Sequence, residues 1–511
     1  MKRTTTGGLL HELADIYRDS ECIVSRSRGI RLTYSQLDLM VDCAAAEMLE
    51  SGVRPGMKAG LFAINSPQWL ITMFALQRIG AIPVTVNPNL KAIELEYIIG
   101  KSEMERLYVD EWFRYSDNFS DRLEIVTMAM PDGQISESQL KAVRDAEALT
   151  GCMDVAAIQF TSGTTGFPKG VMLTHYGIIN NGITVGKNMN IKPGDRFANC
   201  LPLFHGSSCF TATMMNFNCG ATLVLIDRYT PKTVLGTIQE ERCTTTAGVP
   251  TMFINELAQP DFDSYDLSTL DRAIMFGSVC PPESMRQVAE RMGCNVLSIY
   301  GSTELSPCTC MTLPSDPEYV RWGSIGRPIE GTEQIIVNTE TGKPCAPGET
   351  GELLCRGYNV MKGYYKDFKA TRAAVDSKGF YHTGDAVYMD EEGNCHVVGR
   401  VNDMIIHGGD NIYPSEVENV LLKMPGVRAV EVIGLPSPLY GEQVCAVIVP
   451  DGNITEHDIT AWCRERMATY KIPKYILFTD TFPLTASGKV IKQRLKDIAL
   501  DKLELRGITV R

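Results

Sequence analysis

Residues 161 to 170 read TSGTTGFPKG between two apolar segments, placing three glycines, four hydroxyl side chains and one lysine in ten positions. That is the chemistry of a phosphate cradle. Gly163, Gly166 and Gly170 free the backbone for close approach to a ligand. Successive N–H groups, the hydroxyls of Thr161, Ser162, Thr164 and Thr165, and the ammonium of Lys169 supply donors for phosphate oxygens. The stretch does not fit G-x-x-x-x-G-K-[ST], because Pro168 precedes Lys169 and Gly170 follows it. A nucleotide held here is held by another architecture. A hydroxyl-rich surface loop is the other reading that composition allows.

Further stretches carry chemistry of their own: YGSTE at 300–304, YHTGD at 381–385, GRVNDMI at 399–405, GGDNIYPSEVE at 408–418 and PLTASGKVIK at 483–492. Each has an ordinary alternative when read alone. Glu304 can be a loop acid, Asp385 a turn aspartate after Gly384, Arg400 a surface arginine and Lys489 a solvated lysine at a helix start. His205, between Phe204 and Gly206, can be a core histidine.

The elements that must position these residues alternate in type. Thr33 can cap a helix carrying Leu37, Met40, Val41, Ala44 and Met48 on one face, with Gly52 ending it. Lys58 to Ile64 reads as a buried strand, and Ser66 followed by Pro67 opens a helix that runs to Gly80. A strand from Ala81 to Val86 completes a β-α-β unit and so implies parallel sheet. His11, in the leading helix, reads as a surface residue. From Val155 the order is strand, glycine-rich loop, a strand at Val171–Leu173 and a helix capped near Thr174. Strands of further β-α units follow at Ala221–Leu225, Cys243–Ala247 and Ala273–Phe276.

From about 323 to 401 the pattern changes to short strands and turns, at Glu333–Val337, Glu352–Arg356, Ala386–Met389 and Cys395–Val398, as in a small antiparallel sheet or barrel. Beyond Arg400, Ser415 can cap a helix through Leu422. Strands at Val427–Gly434, Gln443–Pro450 and Tyr475–Phe478 and a helix around Ile459–Met467 make a separate α+β domain. The expected fold is α/β: a large N-terminal domain, 1–401, of β-α units with a barrel-like subdomain at about 323–401, and a small C-terminal domain, 402–511.

Composition bounds the function. The chain has 511 residues, too many for one core, with 44% hydrophobic and 22% charged residues. A net charge of −12 and pI near 5.3 argue against nucleic acid as a general partner. Sixteen scattered cysteines form no disulfide framework and no C-x-x-C pair, so they read as packing residues in a reducing, cytoplasmic setting. No apolar run approaches the ~20 residues of a membrane span, and there is no signal core after Met1.

Taken in series, the six stretches resemble the adenylate-forming superfamily of acyl-CoA synthetases, peptide-synthetase adenylation domains and luciferases, nearly from end to end. GVPTMFINELAQPDFDSYDLSTL at 248–270 and YKIPKYILF at 470–478 resemble the medium-chain fatty acyl-CoA synthetases. The resemblance implies a two-step reaction. A carboxylate attacks the α-phosphorus of ATP and expels pyrophosphate, and a thiolate then displaces AMP from the acyl-adenylate. It implies ATP, Mg²⁺ and coenzyme A as the required partners of the carboxylic acid.

It also implies roles. Thr161 to Lys169 would hold the β- and γ-phosphates. Tyr300, Gly301 and Ser302 belong to the nucleotide site, where Thr303 would donate to the α-phosphate and Glu304, with Thr161, would hold Mg²⁺. Asp385 would accept from the ribose hydroxyls with Arg400 assisting, and Gly277 and Ser278 would lie along the adenine and the acyl carbonyl. Lys489 would be the catalytic lysine of adenylation. Gly408 and Gly409, on another face of a mobile C-terminal domain, would admit the pantetheine arm. Two positions depart from the family pattern: Asn402 stands at the hinge where a charged residue is usual, and His407 stands where a small hydroxyl residue is common.

His205 resembles the family's aromatic gate, and Gly206, Ser207, Ser208 and Cys209 leave room for an apolar tail. Leu201–Phe210 and the neighbouring stretches hold no acid to meet a substrate ammonium, which speaks against an amino-acid activator. A medium-length aliphatic acid is expected, with an aromatic acid second. The rivals are an enzyme that loads a carrier protein and a non-catalytic nucleotide binder. Oligomeric state is unreadable, a homodimer being allowed.

Overall fold

The computed structural model describes residues 1–113, 123–161, 168–277, 280–407, 410–437, 439–484 and 490–506. Local signals set the elements of the amino-terminal third. Thr33 and Gln36 form a reciprocal capping box that opens the helix Tyr34–Glu50, a device worth about 1 kcal/mol. Ser66 caps Pro67–Arg78, whose Pro67 occupies the first turn where a missing N–H costs nothing. Nearly every side chain of that helix is buried, so it runs through the interior. Its last residue, Arg78, is fully buried. The guanidinium reaches Asp38 at 2.5 Å and Asp42 at 2.6 Å, which keeps the buried charge paired.

Two large sheets carry the N-terminal part, as counted among the described residues. One has nine strands, in which Asn295–Tyr300, Arg272–Met275, Thr245–Gly248, Arg196–Asn199, Thr222–Leu225 and Glu21–Ser25 lie side by side and parallel. The other has seven, centred on Lys58–Phe62 and Ile82–Thr85, and holds the antiparallel pair Val155–Thr161 and Lys169–Thr174, with Gly363–Tyr364 outermost on that side. Nearly every position of the central parallel strands is buried, including the polar Thr245, Thr246 and Arg272. The expected β-α-β unit is present, with Lys58 facing Ile82 in register.

Four antiparallel strands, Thr332–Val337, Gly351–Gly357, Tyr381–Met389 and Cys395–Arg400, make the small sheet expected between 323 and 401. The small C-terminal domain has its own apolar core around Val432, Val444, Ile448 and Ile459. In it Val427–Ser437 and Gly441–Pro450 pair antiparallel, and Tyr475–Phe478 joins in parallel.

Two local expectations are corrected. Ser415 does not cap its helix. Pro414 takes the first helical position of Pro414–Leu421, so the cap falls on Tyr413, and the Ser415 hydroxyl donates instead to the Val398 carbonyl. His11 is half-buried rather than on the surface, its ring bridging Asp38 at 2.9 Å and Glu147 at 3.1 Å. His11, Asp38 and Asp42 have the spacing of a metal triad, but the guanidiniums of Arg78 and Arg144 already engage these carboxylates. The sixteen cysteines form no disulfide among the described residues, and most are buried. No described helix is long and apolar enough to cross a membrane.

Candidate active site

The glycine-rich stretch joins two strands whose ends face each other. Thr161 pairs with Lys169 and Phe160 with Gly170. A Cβ on Gly170 would sit 3.0 Å from the Ile158 side chain and 3.2 Å from the Phe160 ring, so a larger residue would make those side chains shift. Ser162, Gly163, Thr164, Thr165 and Gly166 lie outside the described residues. Lys169 Nζ stands 5.2 Å from the centroid of the Tyr364 ring, and the Tyr364 hydroxyl donates to Glu304 Oε1 at 3.0 Å. One tyrosine therefore links the loop lysine to the acid of YGSTE. Burial, reinforced by the Glu304 charge, holds the Tyr364 phenol far above its ordinary pKa, so it remains a donor.

Tyr364 was not anticipated from sequence. It belongs to the short strand Gly363–Tyr364, which pairs with Lys169–Thr174. Around it the chain is laced in place: the Met361 N–H donates to the Glu304 carbonyl, Lys362 N–H to Met172, and Tyr365 N–H to Gly170.

Thr303 and Glu304 lie buried in the 3₁₀ turn Thr303–Leu305. Gly301 is needed for the chain to fold back here, since an added Cβ would fall 2.0 Å from the Pro307 carbonyl oxygen. Ser302 presents a shielded hydroxyl beside Tyr381. At the head of the same segment the Tyr300 hydroxyl donates to Asp385, while Arg400 donates to the other Asp385 oxygen at 2.9 Å. Asp385 and Arg400 are direct cross-strand partners. Burial, with the Asp385 charge added, pushes the Tyr300 phenol well up. Burial alone would lower Arg400, but the adjacent Asp385 and Tyr300 outweigh it and the net shift is upward. Both oxygens of the Asp385 carboxylate thus accept from a side-chain donor.

His205 Nδ1 lies 2.8 Å from Ser207 Oγ and accepts from the Ser207 N–H at 3.3 Å. After it the chain winds as a π-type turn, Ser207–Ala212, which apolar periodicity did not announce. Asn65 pins this region. Its amide donates to the carbonyls of Leu201 and Ile226 at 2.9 and 3.0 Å and accepts from Leu203 N–H at 2.7 Å. Gly277 has a left-handed φ of 90°, with Val249 3.0 Å from where a Cβ would stand. Ser278 lies outside the described residues.

In the C-terminal part Lys489, Gly408 and Gly409 also lie outside the described residues, but their flanks are placed. Leu484 and Val490 bridge, and Ile491 N–H donates to the Pro483 carbonyl. His407 Nδ1 donates to the Glu442 carbonyl at 2.8 Å, and its ring stacks on Tyr440 at 4.5 Å. Asn402 is exposed in the turn Val401–Asp403, and the neighbouring Asp403 meets Lys492 at 3.5 Å. Close by, Glu431 is pushed up to about 8 by burial and then by Glu418, with Lys492 opposing.

With this geometry in hand, the relationships of the chain are informative. The model of the AMP-binding enzymes matches residues 10–365, and that of the AMP-binding enzyme C-terminal domain matches 416–489. The chain belongs to the AMP-binding enzyme family. It is 39% identical to the Bacillus subtilis (strain 168) protein YngI, named for an acyl-CoA synthetase, over 98% of each chain. It is 36% identical to the mitochondrial medium-chain acyl-CoA ligase ACSF2 of Mus musculus, over 98% of this chain and 88% of that one. Among solved structures, ATP-bound MatB from Rhodopseudomonas palustris superposes with a TM-score of 0.86 at 27% identity, covering 98% of this chain and 100% of that one. The anthranilate CoA ligase AuaEII in complex with anthranoyl-AMP gives 0.87 at 27% identity, covering 98% and 99%. This family member is an AMP-forming acid–thiol ligase that uses ATP and coenzyme A.

Proposed function

We propose that the enzyme activates a medium-chain fatty acid and transfers it to coenzyme A. The observation that carries the reading is the convergence on YGSTE. Its first residue grips the Asp385–Arg400 pair, and its last is tied through Tyr364 to Lys169. Ribose acceptors and phosphate donors thus sit at the two ends of one five-residue segment.

In the proposed first step a carboxylate oxygen of the fatty acid bonds to the α-phosphorus, and the bond to the bridging oxygen breaks, releasing pyrophosphate. Thr161, Ser162, Gly163, Thr164, Thr165, Gly166 and Lys169 grip the leaving phosphates, Thr303 donates to the α-phosphate, and Asp385 with Arg400 orients the ribose. Lys489 offsets charge on the carboxylate and α-phosphate oxygens. The residues present suit Mg²⁺: the buried Glu304 carboxylate spends one oxygen on Tyr364, leaving the other for a hard cation, with the Thr161 hydroxyl as a second oxygen donor. Bound there, the ion would neutralise phosphate charge. In the second step the coenzyme A thiolate attacks the acyl carbonyl and AMP departs. Gly408 and Gly409 line the thiol's approach, and the boundary between domains falls at 401/402.

A chain carrying an apolar tail is supported by the loop Leu201–Phe210, which has no acid in it, and by similarity to a ligase named for medium-chain substrates. The aromatic reading draws on AuaEII. ATP–pyrophosphate exchange across aliphatic acids of graded length, benzoates and amino acids separates them. The proposal expects maximal exchange with medium-length aliphatic acids and coenzyme A as acceptor. Exchange confined to aromatic acids, or thioester formed only on a carrier protein, would refute it. Lys489→Ala should abolish exchange yet leave thioester formation from preformed acyl-adenylate largely intact. Equal loss of both half-reactions would remove the role given to Lys489.

A further inference from the structure

A cavity of about 840 Å³ opens where the carboxyl ends of Glu21–Ser25 and Thr222–Leu225 meet the loops that follow Lys58–Phe62 and Arg106–Val109. Its volume falls in the range of small-molecule sites, and the carboxyl ends of parallel strands are where open α/β sheets place ligands. Three guanidiniums line it, those of Arg26, Arg28 and Arg228. Arg26 is held by Glu240, and Arg28 Nε lies 3.3 Å from Asp227. Arg228 is exposed and makes no ion pair among the described residues. Arg28 Nε and Asp227 Oδ1 are sealed from solvent yet have no hydrogen-bond partner among the described residues.

On the rim stands Trp112, an indole 67% exposed, above a floor that includes Ile64 and Ile226. Asp110 accepts from the N–H groups of both Trp112 and Ile64, at 3.0 and 3.3 Å. A large exposed aromatic face beside Arg228, which has no ion pair among the described residues, suits a ligand that is planar at one end and anionic at the other. The floor residue Ile226 shares Asn65 with the Leu201–His205 loop, so the cavity abuts the acyl region without using any residue assigned to adenylation.

We propose that this cavity binds a nucleoside phosphate, its base on Trp112 and its phosphate on Arg228 and Arg28. Such a ligand has two sources: the phosphoadenosine end of coenzyme A, or a free nucleotide acting apart from catalysis. The test uses the full chain and 3′-phosphoadenosine 5′-phosphate as probe, read by tryptophan fluorescence and by calorimetry. Expected are quenching that Trp112→Leu abolishes, and binding weakened about tenfold or more by Arg228→Glu but much less by Arg228→Lys, as loss of a charge-assisted phosphate contact requires. A matching rise in KM for coenzyme A in Arg228→Glu assigns the site to the acceptor, and an unchanged KM assigns it to a free nucleotide. Absence of probe binding, or binding indifferent to Arg228→Glu and Trp112→Leu, overturns the proposal. Pyrophosphate exchange without coenzyme A should be unchanged in all three variants, which keeps this outcome separate from the fate of the adenylation assignment.

Discussion

Tyr364→Phe is the sharpest probe of the phosphate site, because it deletes one oxygen and keeps the ring. The phenol donates to Glu304 at 3.0 Å, and both residues are buried. Removing a hydrogen bond to a buried charged acceptor costs about 1.5–3 kcal/mol, which corresponds to roughly tenfold to a hundredfold in kcat/KM for ATP if Glu304 acts only when held. The cation–ring contact of Lys169 at 5.2 Å should survive in the phenylalanine variant. Tyr364→Leu removes both, and the extra loss should be about 0.5–2 kcal/mol. ATP–pyrophosphate exchange at saturating carboxylic acid measures the effect, with an unchanged Tm as the control for folding. If Tyr364→Phe leaves kcat/KM for ATP within about twofold of the parent, the link from Lys169 through Tyr364 to Glu304 has no catalytic consequence and the reasoning fails.

Tyr300→Phe should raise KM for ATP about tenfold with a smaller change in kcat, since it removes a donor that orients Asp385 and leaves the phosphate contacts in place. An equal fall in kcat would point instead to collapse of the YGSTE turn. Glu256 is 2% exposed, and burial pushes its carboxyl up from 4.5 to about 8. The folded protein therefore binds a proton that the unfolded chain has released between these values, and stability falls as pH rises through that window. Glu256→Gln should stabilise by about 3 kcal/mol at pH 7 and about 5 above pH 9, and by little below pH 4.5. Thermal melts at pH 5, 7 and 9 read this as a gap in Tm that widens with pH. A gap independent of pH would mean that Glu256 titrates in the folded protein as it does in the unfolded chain, with no upward shift.

Elements with local causes were legible. The capping residues Thr33 and Ser66 and the parallel strands Lys58–Phe62 and Ile82–Thr85 carry their signals within a few positions. The strand Glu21–Ser25 was not, because this short run gains its parallel partner Thr222–Leu225 from 200 residues away. Ser415 misled because a good capping type sits one place after a proline that had already started the helix. The motifs singled out Tyr300, Glu304, Asp385 and Arg400, of which the structure brings Tyr300, Asp385 and Arg400 into contact, whereas the residues that hold them did not announce themselves. Tyr364 and Asn65 act through partners chosen by tertiary approach, and a tyrosine in GYY or an asparagine before Ser66 looks like any other.

The lacing of residues 361–365 bears on how the molecule comes into being. Those residues bond backward to Gly170 and Met172 as well as to Glu304. The sheet edge that carries Lys169 is thus closed by contacts nearly two hundred residues apart in sequence, the kind that form late because chain entropy must be lost before they gain anything. A nascent or partly folded chain would have the glycine-rich hairpin without its brace. ATP binding should therefore report the completed large domain rather than the hairpin, and the stabilisation it confers falls on global unfolding rather than on local fraying.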